Sequence, residues 1–169
     1  MNFPADRATE HVRRRMSAAF LISAVSAFGA VHAATPFEET WVPNVDESTL
    51  LPGQTIVADT VGVIKDDGVL FQTELMFTVP NGEVVTLIWN AVCDGRPSPV
   101  EGVNPPGSVT LNCIRNPDGS VSQTLVADGG YSHTEVCSIS TDGLKKTCEG
   151  TARFPDGSEE RFRYVDDRR

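Results

Sequence analysis

Apolar and polar residues alternate along much of this chain with a period of two. In 69–79, Phe71, Thr73, Leu75, Phe77 and Val79 hold the odd positions, while Gln72, Glu74 and Thr78 hold even ones. Val109, Leu111 and Cys113 share one face of 108–115. In 144–154 the apolar face is Leu144, Cys148, Ala152 and Phe154, opposed by Lys145, Thr147, Glu149 and Arg153. Phe162 and Tyr164 face inward in 159–166, with Arg161 and Arg163 outward. Between these runs stand turn signals: Asp67-Gly68, Asn81-Gly82, Asp118-Gly119, Asp128-Gly129, Asp142-Gly143 and Asp156-Gly157. Glycine accepts the positive φ of a tight hairpin without steric cost. The pattern predicts strands over 39–42, 55–64, 69–79, 83–93, 108–115, 120–127, 131–140, 144–154 and 159–166.

Two connections are longer, 43–54 and 94–107. The second holds four prolines and three glycines, and proline cannot donate to a sheet ladder, so the expectation is a loop rather than a central strand. Eight or nine consecutive hairpin-linked strands with one apolar face must hide that face. Closure into an all-β, antiparallel up-and-down barrel does so and removes the sheet edges. A two-sheet sandwich is the alternative, and the strictly sequential hairpins favour the barrel.

The first 33 residues read differently. Arg13, Arg14 and Arg15 precede an apolar run from Met16 to Val31, and Val31-His32-Ala33 follows. This is the pattern of a secretory signal peptide cleaved after Ala33, leaving a barrel domain over 34–169. An uncleaved anchor is the competing reading, although the run is short and rich in Ala and Ser for a membrane span. The residues after the arginines fit a twin-arginine signal poorly. The expected location is therefore outside the cytoplasm, periplasmic or secreted.

The leader takes four of the 14 basic residues and two of the 23 acidic ones, leaving ten and 21, a net charge of −11. Such a surface repels phosphate backbones and anionic lipid heads, so neither nucleic acid nor a peripheral membrane surface is an expected partner.

All four cysteines, Cys93, Cys113, Cys137 and Cys148, lie beyond residue 33. An even count in an exported chain points to two disulfides. Zinc is the competing reading, but there is no Cys-x-x-Cys and His133 is the one histidine after the leader, so neither metal nor cofactor is expected. If Asp142-Gly143 forms a two-residue turn, Cys137 falls directly opposite Cys148, close to bridging distance. A bulged turn would set them diagonally. Cys93 and Cys113 would then clip the proline-rich connection between them.

Several stretches carry a resemblance. "ETWVPNVDESTLLPG", through Trp41, Asn44, Ser48, Pro52 and Gly53, resembles the opening of exported bacterial lipocalin-like proteins. "CDGRPSPVEG", through Asp94, Gly95, Pro99 and Gly102, and the closing Asp-Gly hairpins are similar to later segments of that group. Glu39 stands where the group has glycine before its Trp, and the four cysteines are not typical of it. The resemblance implies an antiparallel β-barrel and no enzyme chemistry. It also implies that Trp41 packs beneath an arginine, Arg163, Arg168 or Arg169, to close one barrel end.

A barrel of this size is either filled by side chains or hollow enough for one small ligand. By parity Phe71, Phe77, Trp89, Arg115, Tyr131, His133 and Glu135 point inward. The aromatic residues would then line a lumen, while Arg115, Tyr131, His133 and Glu135 orient a ligand's polar end, unless those four pair with one another or reach water at the rim. The expectation is an exported, disulfide-bonded, non-catalytic barrel binding a small, largely apolar molecule. The alternative is a cell-envelope structural or interaction module with a filled interior. There is no nucleophile elbow, and Glu74, Glu83, Glu159 and Glu160 read as solvated charges rather than a catalytic acid pair.

Overall fold

A computed structural model describes residues 35–56, 59–78, 81–103 and 107–169. The signal-peptide reading falls on the segment before Thr35 and lies outside the described residues. The described residues form ten antiparallel strands: β1 (Glu39–Pro43), β2 (Val61–Asp66), β3 (Leu70–Thr78), β4 (Val84–Val92), β5 (Ser98–Val103), β6 (Val109–Arg115), β7 (Val121–Ala127), β8 (Ser132–Ile139), β9 (Lys145–Arg153) and β10 (Glu159–Arg168). They close into one barrel. Each strand pairs with its sequence neighbours, and β1 completes the ring between β2 and β10.

The barrel is the closed solution the alternation called for, with ten strands rather than eight or nine. Lipocalins have eight. The extra strand is β5, which runs through the proline-rich stretch expected to be a loop. Two features admit it. Pro99 stands where β5 changes partners: Ser98 and Pro99 register with Leu111 and Thr110 of β6, whereas Val100, Glu101 and Gly102 register with Trp89, Ile88 and Leu87 of β4. The missing N–H therefore falls at the end of a short ladder. Gly102 supplies the second feature. Its φ is +148°, and a Cβ there would lie 1.8 Å from the Thr86 carbonyl oxygen, so the backbones approach more closely than any side chain permits. Strand β2 also begins at Val61 rather than at residue 55.

One end of the barrel collects the β2–β3, β4–β5, β6–β7 and β8–β9 turns, and it is plugged. Phe37 and Trp41 are each 1% exposed, and the Trp41 indole N–H donates to the Phe37 carbonyl at 3.0 Å. Phe37 meets Phe71 edge-on at 5.9 Å between ring centres. Asp66, also 1% exposed, accepts two hydrogen bonds from Arg115 and one from the Thr35 hydroxyl. Burial pushes the Asp66 carboxyl up, but those donors and the Gly68 N–H outweigh it and hold it below its ordinary value.

The expected cation over Trp41 is present, but it is not an arginine. Lys146 Nζ lies 5.9 Å from the Trp41 ring centre. Arg168, which registers with Trp41, turns instead to Glu39, and Arg163 goes to Glu149 at 3.0 Å. Inward parity explains the exchange, because Lys146 shares a face with Cys148 on β9.

Both disulfides form, Cys93 with Cys113 and Cys137 with Cys148. The first ties the end of β4 to β6 around the beginning of β5. Gly95 N–H donating to the Cys113 carbonyl at 2.9 Å reinforces that tie. Disulfides of this kind persist in oxidising surroundings.

Candidate functional site

Between the plug and the opposite end the interior is hollow. A continuous cavity of about 330 Å³ runs along the barrel, at the lower end of the range typical of small-molecule sites. Its floor is Phe37, Ile64 and Phe71, and its walls include Leu75, Phe77, Leu87, Trp89 and Leu111. These are the inward positions of the alternating strands.

Residues 51–56 pass across the far end. Leu51 is buried against Ala152 and Phe162. The Gln54 side-chain oxygen accepts from the Leu51 N–H at 3.2 Å and from the Tyr164 hydroxyl at 2.7 Å, which fixes this strap to β10. Gln54, Thr55 and Ile56 then line the cavity mouth. An aromatic cluster surrounds the strap: Tyr131 meets Phe154 at 5.7 Å, His133 meets Phe162 at 5.5 Å, and Phe162 stacks on Tyr164 at 4.6 Å.

The acidic and basic side chains of the lumen come from three adjacent strands. His133 and Glu135 project from β8, Lys146 from β9 and Asp166 from β10, and all four line the cavity. Lys146 and Asp166 pair at 2.9 Å, with side chains only 16% and 15% exposed. Glu135 stands opposite Gly150 and Gln123 in its two strand pairings. It is half-buried and lines the cavity, and no hydrogen bond from a described residue reaches its carboxyl. Burial pushes that carboxyl up to about 7, with Lys146 pulling it down and Asp166 pushing it further up. Burial lowers His133 to about 4, so its ring is neutral at ordinary pH, and Nδ1 lies 3.3 Å from the Tyr131 hydroxyl. Burial also raises Tyr164, to about 12.

Of the seven residues expected to face a ligand, Phe71, Phe77, Trp89, His133 and Glu135 line the cavity. Tyr131 does not; it belongs to the aromatic cluster behind His133. Arg115 does not either. Its guanidinium is committed to Asp66 and lies over the Phe71 ring at 5.8 Å, below the floor. Lys146 and Asp166 were missed, although parity with Cys148 and with Tyr164 assigns both to the inner face. Their pairing shows only in the register, which sets the two side by side across the β9–β10 hairpin.

Compared with known proteins, the chain matches no family model, no curated protein and no solved structure. The site is therefore read from its own chemistry. Glu135, Cys137 and Cys148 lie within 4.8 Å of one another, a spacing that could hold a metal ion. The two sulfurs are bonded to each other, which leaves one carboxylate and no ligand set. A second hollow, of about 410 Å³, lies at the rim beside Pro52, Phe154 and Pro155, outside the lumen.

Proposed function

We propose that this protein is an exported, non-catalytic container that holds one small, largely apolar molecule inside its barrel. The observation that carries the reading is the continuous lumen of about 330 Å³, walled by Phe71, Phe77, Trp89 and aliphatic side chains, with Glu135, Lys146 and Asp166 among its polar lining. A filled interior, as a purely structural module would have, does not leave such a space. Export accords with the two disulfides and with the basic-then-apolar leader. The likeness of Trp41, Asn44 and the Asp-Gly turns to exported lipocalin-like proteins agrees with a ligand-holding barrel, though the strand count differs.

Acid–base catalysis is the competing use of His133 and Glu135. A general base needs an orienting partner. Here His133 faces the Tyr131 hydroxyl rather than Glu135, and Lys146 is tied to Asp166. The arrangement suits holding better than turnover.

Native mass spectrometry of the protein purified from its own host tests the reading. A co-purifying mass, released on denaturation and absent from a lumen-filled Gly62→Phe variant, is the expected result. Bare protein that also takes up no apolar probe would overturn it.

A further inference from the structure

The polar group inside the lumen is unbalanced in charge. It holds two carboxylates, Glu135 and Asp166, and one cation, Lys146. Lys146 is satisfied by Asp166 at 2.9 Å and by the face of Trp41. The half-buried guanidinium of Arg115 is held beneath the floor by Asp66. Among the described residues, then, no unpaired cation faces the cavity. Glu135 is the charged group left over, beside two neutral lining groups without a described partner, the Trp89 indole N–H and the Thr73 hydroxyl. Gln123 on β7, His133 on its own strand, Lys146 on β9, and Tyr164 and Asp166 on β10 surround it. None of them hydrogen-bonds its carboxyl.

A half-buried carboxylate facing an apolar lumen is costly unless it is paired. The lumen offers it two possible partners, water or the ligand itself. A ligand carboxylate would meet two acids and would have to strip Lys146 from Asp166. A neutral hydroxyl would satisfy Glu135 only in part. A protonated amine would cancel the excess charge and donate up to three hydrogen bonds. The aromatic walls also favour a cation, because Trp, Phe and Tyr faces attract positive charge.

Resting on the container reading above, we propose that the lumen takes an amphipathic amine, whose ammonium group pairs with Glu135 while its apolar body fills the space walled by Phe71, Phe77 and Trp89. Binding is non-covalent. Fatty-acid-like anions are the class the site rejects.

Matched probes separate the possibilities: phenylbutylamine, phenylbutanol and phenylbutyrate, titrated by calorimetry into the full protein at about pH 8, where both the amine and Glu135 are charged. The amine should bind about tenfold or more tightly than the alcohol, and the acid least of all. Glu135→Gln, nearly isosteric, should erase the amine's advantage over the alcohol, bringing the two affinities together. Gly62→Phe, which fills the lumen, should abolish all binding and so exposes adsorption of the amine to the acidic exterior. Equal binding of amine and alcohol, a preference for the acid, or amine binding that persists in Gly62→Phe would each overturn the inference and leave the container reading in place. Failure of all three probes to bind would overturn both. The comparison of wild-type affinities stands even if the Glu135→Gln protein folds poorly.

Discussion

Cys137 and Cys148 stand directly opposite each other across the β8–β9 hairpin, with Cα atoms 4.0 Å apart. The turn between them sets this register. Ser140 N–H donates to the Lys145 carbonyl, and Gly143 N–H donates to the Ser140 carbonyl, each at 2.9 Å. The loop is thus four residues, not two, but both lengths give the same pairing. Leu144, expected inward, lies in that loop and is 57% exposed. Replacing both cysteines by serine releases a short loop in the unfolded chain. The expected cost is about 2–3 kcal/mol, seen as a lower Tm. Unchanged melting would show that the hairpin needs no staple.

What the sequence made legible follows from the same logic. Turn dipeptides and two-residue alternation specify register, so the faces of β3, β6, β9 and β10 and the Cys137/Cys148 pair were readable. β5 was not, because Pro99 argues against a strand unless its ladder partner is known to change there. Arg115 read as a lumen residue because parity gives a face and not a depth. Its partner Asp66 comes from a strand 49 positions earlier and lies at the plugged end. Lys146 and Asp166 stand opposite each other across the β9–β10 hairpin, where alternation assigns both to the inner face without showing that they pair.

The Asp66/Arg115 pair supplies a second prediction. The Asp66 side chain is 0% exposed and that of Arg115 is 28% exposed. Arg115→Met would strand a buried carboxylate, with an expected loss of about 3 kcal/mol at neutral pH. The pH sign is separate from that of the lumen. The folded Asp66 carboxyl titrates below its ordinary value, so its contribution is present above about pH 4 and is lost as acid protonates it. In Arg115→Met the loss at neutral pH should therefore shrink towards acid. Denaturant unfolding at neutral and acidic pH checks both points.

Two glycines on the inner surface should respond oppositely to substitution. At Gly150 a Cβ would fall 2.2 Å from the Thr134 carbonyl oxygen and 2.6 Å from the Phe162 ring. The carbonyl belongs to the β8 ladder and cannot withdraw. Gly150→Ala should cost on the order of 3 kcal/mol or prevent folding. At Gly62 the nearest atoms to a Cβ are 3.9 Å away, and the position lines the lumen. Gly62→Phe should fold, with melting close to wild type, and should lose uptake of apolar probes. Loss of fold at Gly62, or tolerance at Gly150, would contradict the packing described here.

The last prediction concerns the lumen acid itself. Burial raises folded Glu135 to about 7 from an ordinary value of 4.5. A raised acid binds its proton more tightly in the folded state, so its cost is absent at low pH and grows as pH climbs between those two values. That rise corresponds to about 3 kcal/mol at the plateau, an upper figure because water in the lumen softens it. His133 works in the opposite sense: lowered to about 4 from 6.5, it costs stability as pH falls through that window. The two opposing slopes overlap between about pH 4.5 and 6.5 and mask each other in the wild type. Glu135→Gln removes one of them. Its stability relative to wild type should be near zero at pH 4, rise steadily through pH 5 to 7, and level off above, as read from urea unfolding at a series of pH values. A difference that does not change with pH would mean that Glu135 is solvated in the folded protein, and the lumen would then hold water against it rather than present it dry to a ligand.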